Sequence, residues 1–216
     1  TADREGPVIE QAAVPAGWRD GLEGALRRFL GPGRQVPPMY SALKRDGRPL
    51  YELARRGVTV EREPREIEIF ELEPVSLTEV QLELDVLCSK GTYVRTLAED
   101  IAQALGTCGH VAMLRRTWVE PFEREPMETL EAVTRACEEG AGPALLPPDR
   151  PLAHLPAVAL EPWQADRIGH GQAVVLARVP PPGRIRLYDA GKRFLGLGES
   201  DGRGEVRPRR LFTDRG

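Results

Sequence analysis

The spacing of hydrophobic positions changes along one stretch of the chain. Val80, Leu82, Leu84 and Val86 alternate with polar residues and run into Leu87 and Cys88, a pattern that predicts a half-buried strand. From Val94 the interval lengthens. Val94, Leu97, Ala98, Ile101, Ala104 and Leu105 recur at helical spacing, with Thr92 placed to cap the helix and Gly106 to end it. Between the two elements, Ser89-Lys90-Gly91-Thr92-Tyr93-Val94-Arg95-Thr96 forms a strand-to-helix turn. Arg95 is anomalous there, because the positive end of the helix dipole disfavours a cation by roughly 0.3–1 kcal/mol. It calls for a carboxylate; pairing with Glu99 at i+4, or plain solvation, accounts for it equally well on spacing alone. Tyr93 beside it is either an edge of the core or, with Arg95, a pair suited to hold a planar base and a charged group.

Upstream, Leu22, Ala25, Leu26, Phe29 and Leu30 predict an amphipathic helix entered at Asp20 and stopped by Gly31-Pro32-Gly33. Pro37-Pro38 enforces an extended backbone through Tyr40 to Lys44, and Arg45-Asp46-Gly47-Arg48 is a turn signal. A short helix starts at Pro49 and ends before Gly57. Val58–Val60 and Ile67–Phe70 read as strands that join the one before Cys88 in a largely antiparallel sheet. The β-branched end of Val111–Val119 favours another strand, and Leu130, Val133, Thr134 and Cys137 a helix ending at Gly140. Proline and glycine concentrate at 141–151, where a linker is expected. Beyond it come a short helix near Pro162–Ile168 and short strands at Ala173–Leu176, Arg184–Tyr188, Phe194–Leu197 and Arg210–Phe212, the pattern of a small β-barrel. The fold class is therefore α+β: a mixed, largely antiparallel sheet with flanking helices, then the barrel.

A length of 216 residues accommodates two such domains. Thirty Lys and Arg against 33 Asp and Glu leave a net charge of −3, which does not announce nucleic acid. Sign is segregated, however. Arg34 to Arg65 is net positive and Glu66 to Asp85 is all acidic, which permits one basic face directed at a polyanion. Three cysteines, Cys88, Cys108 and Cys137, form no even framework and fit a reducing cytoplasm. Cys108 with His110 is a single C-x-H without a second unit, so no metal is expected. No apolar run approaches the ~20 residues of a membrane span, and no signal-peptide pattern opens the chain.

Pro37-Pro38-Met39-Tyr40-Ser41-Ala42-Leu43-Lys44, Gly47, Leu50-Tyr51, Ala54-Arg55 and Gly57, then Cys88 to Thr96, then His110 with Leu114-Arg115-Arg116, match in order and spacing the bacterial TruB family of tRNA pseudouridine synthases. The chain resembles that family over nearly its whole length. The resemblance implies an isomerase that converts the T-loop uridine of tRNA, position 55, to pseudouridine without a cofactor. Residues 1–140 would be the C-terminal portion of the catalytic domain, 141–151 a linker and 152–216 a PUA-like RNA-binding domain. Tyr93 would contact the flipped base and take part in proton transfer, Arg95 would pair with a nucleophilic aspartate, and Leu114 would line the uracil pocket. Lys44, Arg45, Arg48, Lys90, Arg115 and Arg116 are the candidates for RNA contact.

One departure from the family is large. Its nucleophilic aspartate lies in a Gly-His-Thr-Gly-x-Leu-Asp-Pro motif, and nothing like it occurs here; Asp3, Asp20, Asp46, Asp85 and Asp100 stand in other contexts. Thr1 to Gly6 looks like the family's segment after that motif, so the N-terminal part of the catalytic domain is expected to be absent, a second tyrosine with it, and this chain alone to be inactive. A smaller departure is Gly109 before His110, where the family usually has alanine. The expected partners are the T arm of tRNA and the missing N-terminal segment, with no membrane and a monomer when complete. The alternative is a non-catalytic tRNA- or RNA-binding protein on the same scaffold. A carboxylate-pair glycoside hydrolase finds no aromatic sugar platform in this sequence.

Overall fold

In the computed structural model, which describes residues 2–45 and 47–212, the chain divides into two compact units, Thr1–Arg115 and Arg116–Gly216. Both are α+β with largely antiparallel pairing. The division falls upstream of the proline- and glycine-rich 141–151 stretch. Among the described residues, no helix is long and apolar enough to cross a membrane.

In the first unit a 3-10 turn at Trp18–Gly21 leads into helix α1, Leu22–Arg27, which buries Leu22, Ala25 and Leu26. Strand β1, Gly31–Gln35, follows. The Gly31-Pro32-Gly33 run thus lies inside a strand, where it was expected only to stop a helix. Proline is tolerated because β1 is an edge strand, paired on one side only. Strands β2 (Lys44–Arg45) and β3 (Arg48–Pro49) form a small hairpin, with Lys44 opposite Pro49 and Arg45 opposite Arg48. The predicted turn joins them, although its Asp46 lies outside the described residues. Helix α2, Leu50–Arg55, starts directly after Pro49. Residues 58–60 are not a strand: the N–H of Val58 turns back to the carbonyl of Leu53 at 3.0 Å, closing α2 rather than entering a sheet.

Strand β4, Arg65–Leu77, is central, flanked by β1 and by β5, Leu82–Cys88, both antiparallel to it. Ile69 lies opposite Cys88 and Glu71 opposite Leu87, so Phe70 is an extra residue without a partner. This bulge explains why Ile69 and Leu72, three apart, both point into the core in a lattice of period two. Val75 is a second bulged residue, and both bulged side chains face solvent. Leu82, Leu84, Val86 and Cys88 of β5 pack by simple alternation against Leu72 and Ile69. Helix α3, Val94–Ala104, closes the layer with Leu97 and Ile101, each 3% exposed, burial that stabilises by roughly 1.5–3 kcal/mol per side chain. Leu22 and Leu26 of α1 complete this core.

The segment 112–119, expected to contain a strand, is exposed and irregular. Its anchor is Val111, bridged in parallel to Asp3 through hydrogen bonds from Arg4 N–H to Val111 C=O (3.1 Å) and from Val111 N–H to Ala2 C=O (3.0 Å). In the second unit, helix α4, Leu130–Glu138, is capped by the Thr129 hydroxyl. Strand β6 (Ala157–Ala159), helix α5 (Pro162–Gly169) and strands β7 (Val174–Val175), β8 (Gly183–Tyr188), β9 (Phe194–Ser200) and β10 (Glu205–Leu211) follow. They form a five-stranded sheet of order β6-β8-β9-β10-β7, with β6 and β8 parallel. Its core is Leu160, Ile168, Val174, Ile185, Leu187 and Val206, each at most 2% exposed. Arg186 pins the approach to this sheet by donating to the carbonyls of Leu155 (3.0 Å) and Ala153 (3.3 Å) and to the Tyr188 hydroxyl, which in turn donates to the Asp149 carboxylate.

Candidate active site

The turn between β5 and α3 is stapled to the sheet at its first residue. Ser89 donates its N–H to the carbonyl of Glu68 (2.8 Å) and accepts the Glu68 N–H on Oγ (2.9 Å). Gly91 then turns the chain at φ +95°, a left-handed conformation that costs glycine nothing. Thr92 is not the helix cap. Its hydroxyl lies 3.4 Å from that of Ser89, and the N-cap position falls to Tyr93, whose own side chain makes no capping bond.

The polar groups of Tyr93 are met from another strand. Gln35, the last residue of β1 and 5% exposed, accepts the Tyr93 N–H on Oε1 at 2.8 Å and donates Nε2–H to the Tyr93 carbonyl at 3.1 Å. Gly31, Gly33 and Gln35 lie opposite Ile69, Ile67 and Arg65, so Gln35 is the one long side chain that β1 sends to the face where α3 packs. Sequence reasoning missed it. Its signal, a glutamine two positions beyond a core-facing glycine, becomes legible only once Gly31–Gln35 is known to be a strand.

Arg95 occupies the second position of α3 and is half-buried. Its Nη2 donates to the Tyr40 carbonyl at a long 3.4 Å. The pairing with Glu99 is not formed, and among the described residues no carboxylate lies within 4.0 Å of the guanidinium. Burial raises the carboxyls of Glu99 and, on the next residue, Asp100 above their ordinary range. A cation at a helix N-terminus, hydrogen-bonded only to a distant carbonyl and acting on Glu99 through space without an ion pair, is poised to receive an anion. The fold thus brings Tyr93, Arg95 and the backbone of Tyr40 together, with the Tyr40 side chain 38% exposed. Tyr51 is half-buried with the Arg55 guanidinium 5.4 Å from its ring, a packing arrangement.

Lys44, Arg45 and Arg48 stand exposed on the β2–β3 hairpin, which Arg45 ties down by donating to the carbonyl of Glu61 at 2.6 Å. Lys90 is exposed in the turn before α3. Leu114 lies three residues past the Val111 anchor and is 60% exposed, outside both hydrophobic cores. Arg115 ends the first unit and Arg116 begins the second, both exposed. Among the described residues, no group of three or more His, Cys, Asp or Glu side chains is placed to hold a metal.

Residues 1–94 match the TruB family pseudouridylate synthase N-terminal domain, 95–152 the tRNA pseudouridylate synthase B C-terminal domain and 156–212 the pseudouridine synthase II TruB C-terminal domain. The chain is 48% identical over 216 residues to tRNA pseudouridine synthase B of Stutzerimonas stutzeri (strain A1501), covering 98% of this chain and 70% of that protein. It is 47% identical to the protein of the same name from Pseudomonas aeruginosa (strain UCBPP-PA14), covering 98% and 71%. In fold it is similar to a chain of a Cbf5-Nop10-Gar1 complex, with a TM-score of 0.65 at 23% identity. A chain of an H/ACA RNP bound to a substrate RNA containing 2'-deoxyuridine gives 0.62 at 19%. Each alignment covers 95% of this chain, which spans 64% and 63% of the length of those chains.

Proposed function

This chain belongs to the TruB family of pseudouridine synthases, and from that premise we propose that it carries the base-handling part of a tRNA pseudouridine(55) synthase site. The reaction breaks the N-glycosidic bond of a flipped uridine, turns the freed uracil and joins its C5 to the ribose, so the base must leave the stack and be held away from water. Tyr93 contacts the base and moves a proton on it. Arg95 receives the nucleophilic aspartate, holding it ionised and oriented. Leu114 covers the uracil when RNA is bound. Lys44, Arg45, Arg48, Lys90, Arg115 and Arg116 contact phosphates of the T arm, and 152–216 serves as the PUA-like RNA-binding domain behind the 141–151 linker.

The observation that carries this reading is the Arg95 guanidinium, set beside Tyr93 at a helix start that disfavours it and with no described carboxylate within 4.0 Å. On this reading these 216 residues, which offer Arg95 no motif aspartate, do not turn over substrate alone. The lack of a Gly-His-Thr-Gly-x-Leu-Asp-Pro run in this sequence favours the second reading, a non-catalytic tRNA-binding protein. A T-arm stem-loop RNA incubated with the chain alone, and with the chain plus a polypeptide carrying Gly-His-Thr-Gly-x-Leu-Asp-Pro, separates the two. Pseudouridine formed only in the mixture supports the synthase site. Formation by the chain alone would mean that one of its own carboxylates acts as nucleophile. RNA binding without product in either case would favour the non-catalytic reading.

A further inference from the structure

We propose that Gln35 is a positioning residue for Tyr93: its side-chain amide holds both backbone polar groups of the tyrosine and so fixes where the phenol is presented. The inference rests on the base-handling role given to Tyr93 above. An N-cap is ordinarily a short polar residue whose side chain folds back onto the helix amides. A tyrosine cannot do this, and the Tyr93 side chain makes no such bond. Its half-buried N–H would lack an acceptor, and Gln35 supplies one at 2.8 Å while donating to the same residue's carbonyl at 3.1 Å.

The two contacts act as one device. The amide of Gln35 is planar, so a bond to the N–H and a bond to the C=O of one residue fix the direction of its Cα–Cβ bond and leave only the tyrosine torsions free. That carbonyl also accepts the Leu97 N–H at 3.0 Å, so the amide is locked to the first turn of α3 as well. Gln35 is itself immobilised, 5% exposed and in register opposite Arg65. The sheet thereby holds the backbone of the N-cap residue, and the phenol is left to the substrate. Placement matters because displacing a reacting group by ~1 Å costs on the order of 100-fold in rate.

The test compares the wild-type chain with Gln35→Met, close in shape but without either bond, and Gln35→Glu, which keeps the acceptor but sets a carboxylate against the Tyr93 carbonyl. In the chain labelled with 3-fluorotyrosine, the Tyr93 ¹⁹F resonance, assigned with Tyr93→Phe, is expected to shift and broaden in both variants while those of Tyr51 and Tyr188 stay in place. General loosening would move all of them. In the mixed turnover reaction, Gln35→Met is expected to lower kcat by about 10–100-fold with KM for the stem-loop within about twofold. Adding Tyr93→Phe should then cause no further loss.

An unmoved Tyr93 resonance, or losses that multiply in the double variant, overturns the proposal. If no mixture turns over, the synthase reading fails and the resonance alone decides the role of Gln35. Should the variants not fold, amide exchange in the wild-type chain decides: the Tyr93 N–H should exchange at least about tenfold more slowly than those of Val94 and Arg95, which precede the helical ladder. Equal rates would refute the clamp.

Discussion

Substituting Gly109 by alanine tests whether this chain has been fitted around a smaller residue at a site where the family resemblance leads one to expect alanine. A Cβ built on Gly109 lies 2.8 Å from the Cβ of Ala102 on α3 and 3.9 Å from the Ala98 carbonyl. Carbon atoms in contact settle about 3.5–4.0 Å apart, so the segment must move off the helix by roughly 1 Å. Neither atom of the close pair can rotate away, because each is fixed directly to its backbone. Overpacking of this kind costs roughly 1–3 kcal/mol. Replacing a glycine returns about 0.4–1 kcal/mol by narrowing the unfolded ensemble. Taking the middle of each range, the expected net loss is about 1.3 kcal/mol. Urea denaturation in a Trp118→Phe/Trp163→Phe background reports the first unit alone, because Trp18, the remaining tryptophan, packs against its core. Ala102→Gly should relieve the clash, so the double variant Gly109→Ala/Ala102→Gly should be more stable than the sum of the two singles by about 1–3 kcal/mol. A neutral or stabilising Gly109→Ala, or strict additivity, would refute the steric argument.

Three further expectations follow from the same structure. Reversing Arg115 and Arg116 to Glu should weaken T-arm binding and reduce its log–log salt slope by at least about 1.4, read from titrations at several salt concentrations; an unchanged slope removes both from the interface. Burial raises the carboxyls of Glu99 and Asp100, so between the unfolded and folded pKa values the folded chain binds protons that the unfolded chain has released, and stability falls as pH rises through that window. Asp100→Asn should accordingly raise the denaturation midpoint at pH 7, with the gain shrinking as pH drops to the carboxylate range; a loss at pH 7 would contradict the sign. Tyr188→Phe removes the hydroxyl that joins Arg186 to Asp149 and should destabilise the second unit by about 1–2 kcal/mol, measured by urea denaturation with Trp163 as the only tryptophan.

Where one period ran uninterrupted, the sequence was readable. The alternation from Leu82 to Cys88 and the helical spacing from Val94 to Leu105 correspond to β5 and α3 nearly residue for residue. Reading failed where a local signal had more than one structural use. Glycine and proline at 31–33 mark a helix stop, yet an unpaired edge accepts both, and so β1 went unseen. Val58–Val60 and Thr117–Val119 have β-branched composition but no partner strand among the described residues, and pairing rather than propensity decides. Ala157-Val158-Ala159 carries no pattern at all and becomes β6 because β8 offers a parallel edge. At the site, the turn and its tyrosine–arginine pair could be located from spacing. The cap position could not: Thr92 is the chemically preferred residue, but the chain turns one position later, and the side chain that clamps the backbone of Tyr93 there comes from 58 residues away.

The bulge at Phe70 changes what a length mutation does to this gene. In a regular strand, losing one codon turns every later side chain over; deleting Asp85 from β5 would carry Val86 and Cys88 to opposite faces from those they now occupy. Between Ile69 and Leu72 the outcome is reversed. Loss of Phe70 leaves Ile69, Glu71 and Leu72 in plain alternation, with both apolar residues still inward and the unpaired residue gone. A codon-deletion library across β4 and β5 should therefore yield soluble protein at 70 and 71 and little at 84–86, marking β4 as a place where the reading frame can shorten without the sheet changing sides.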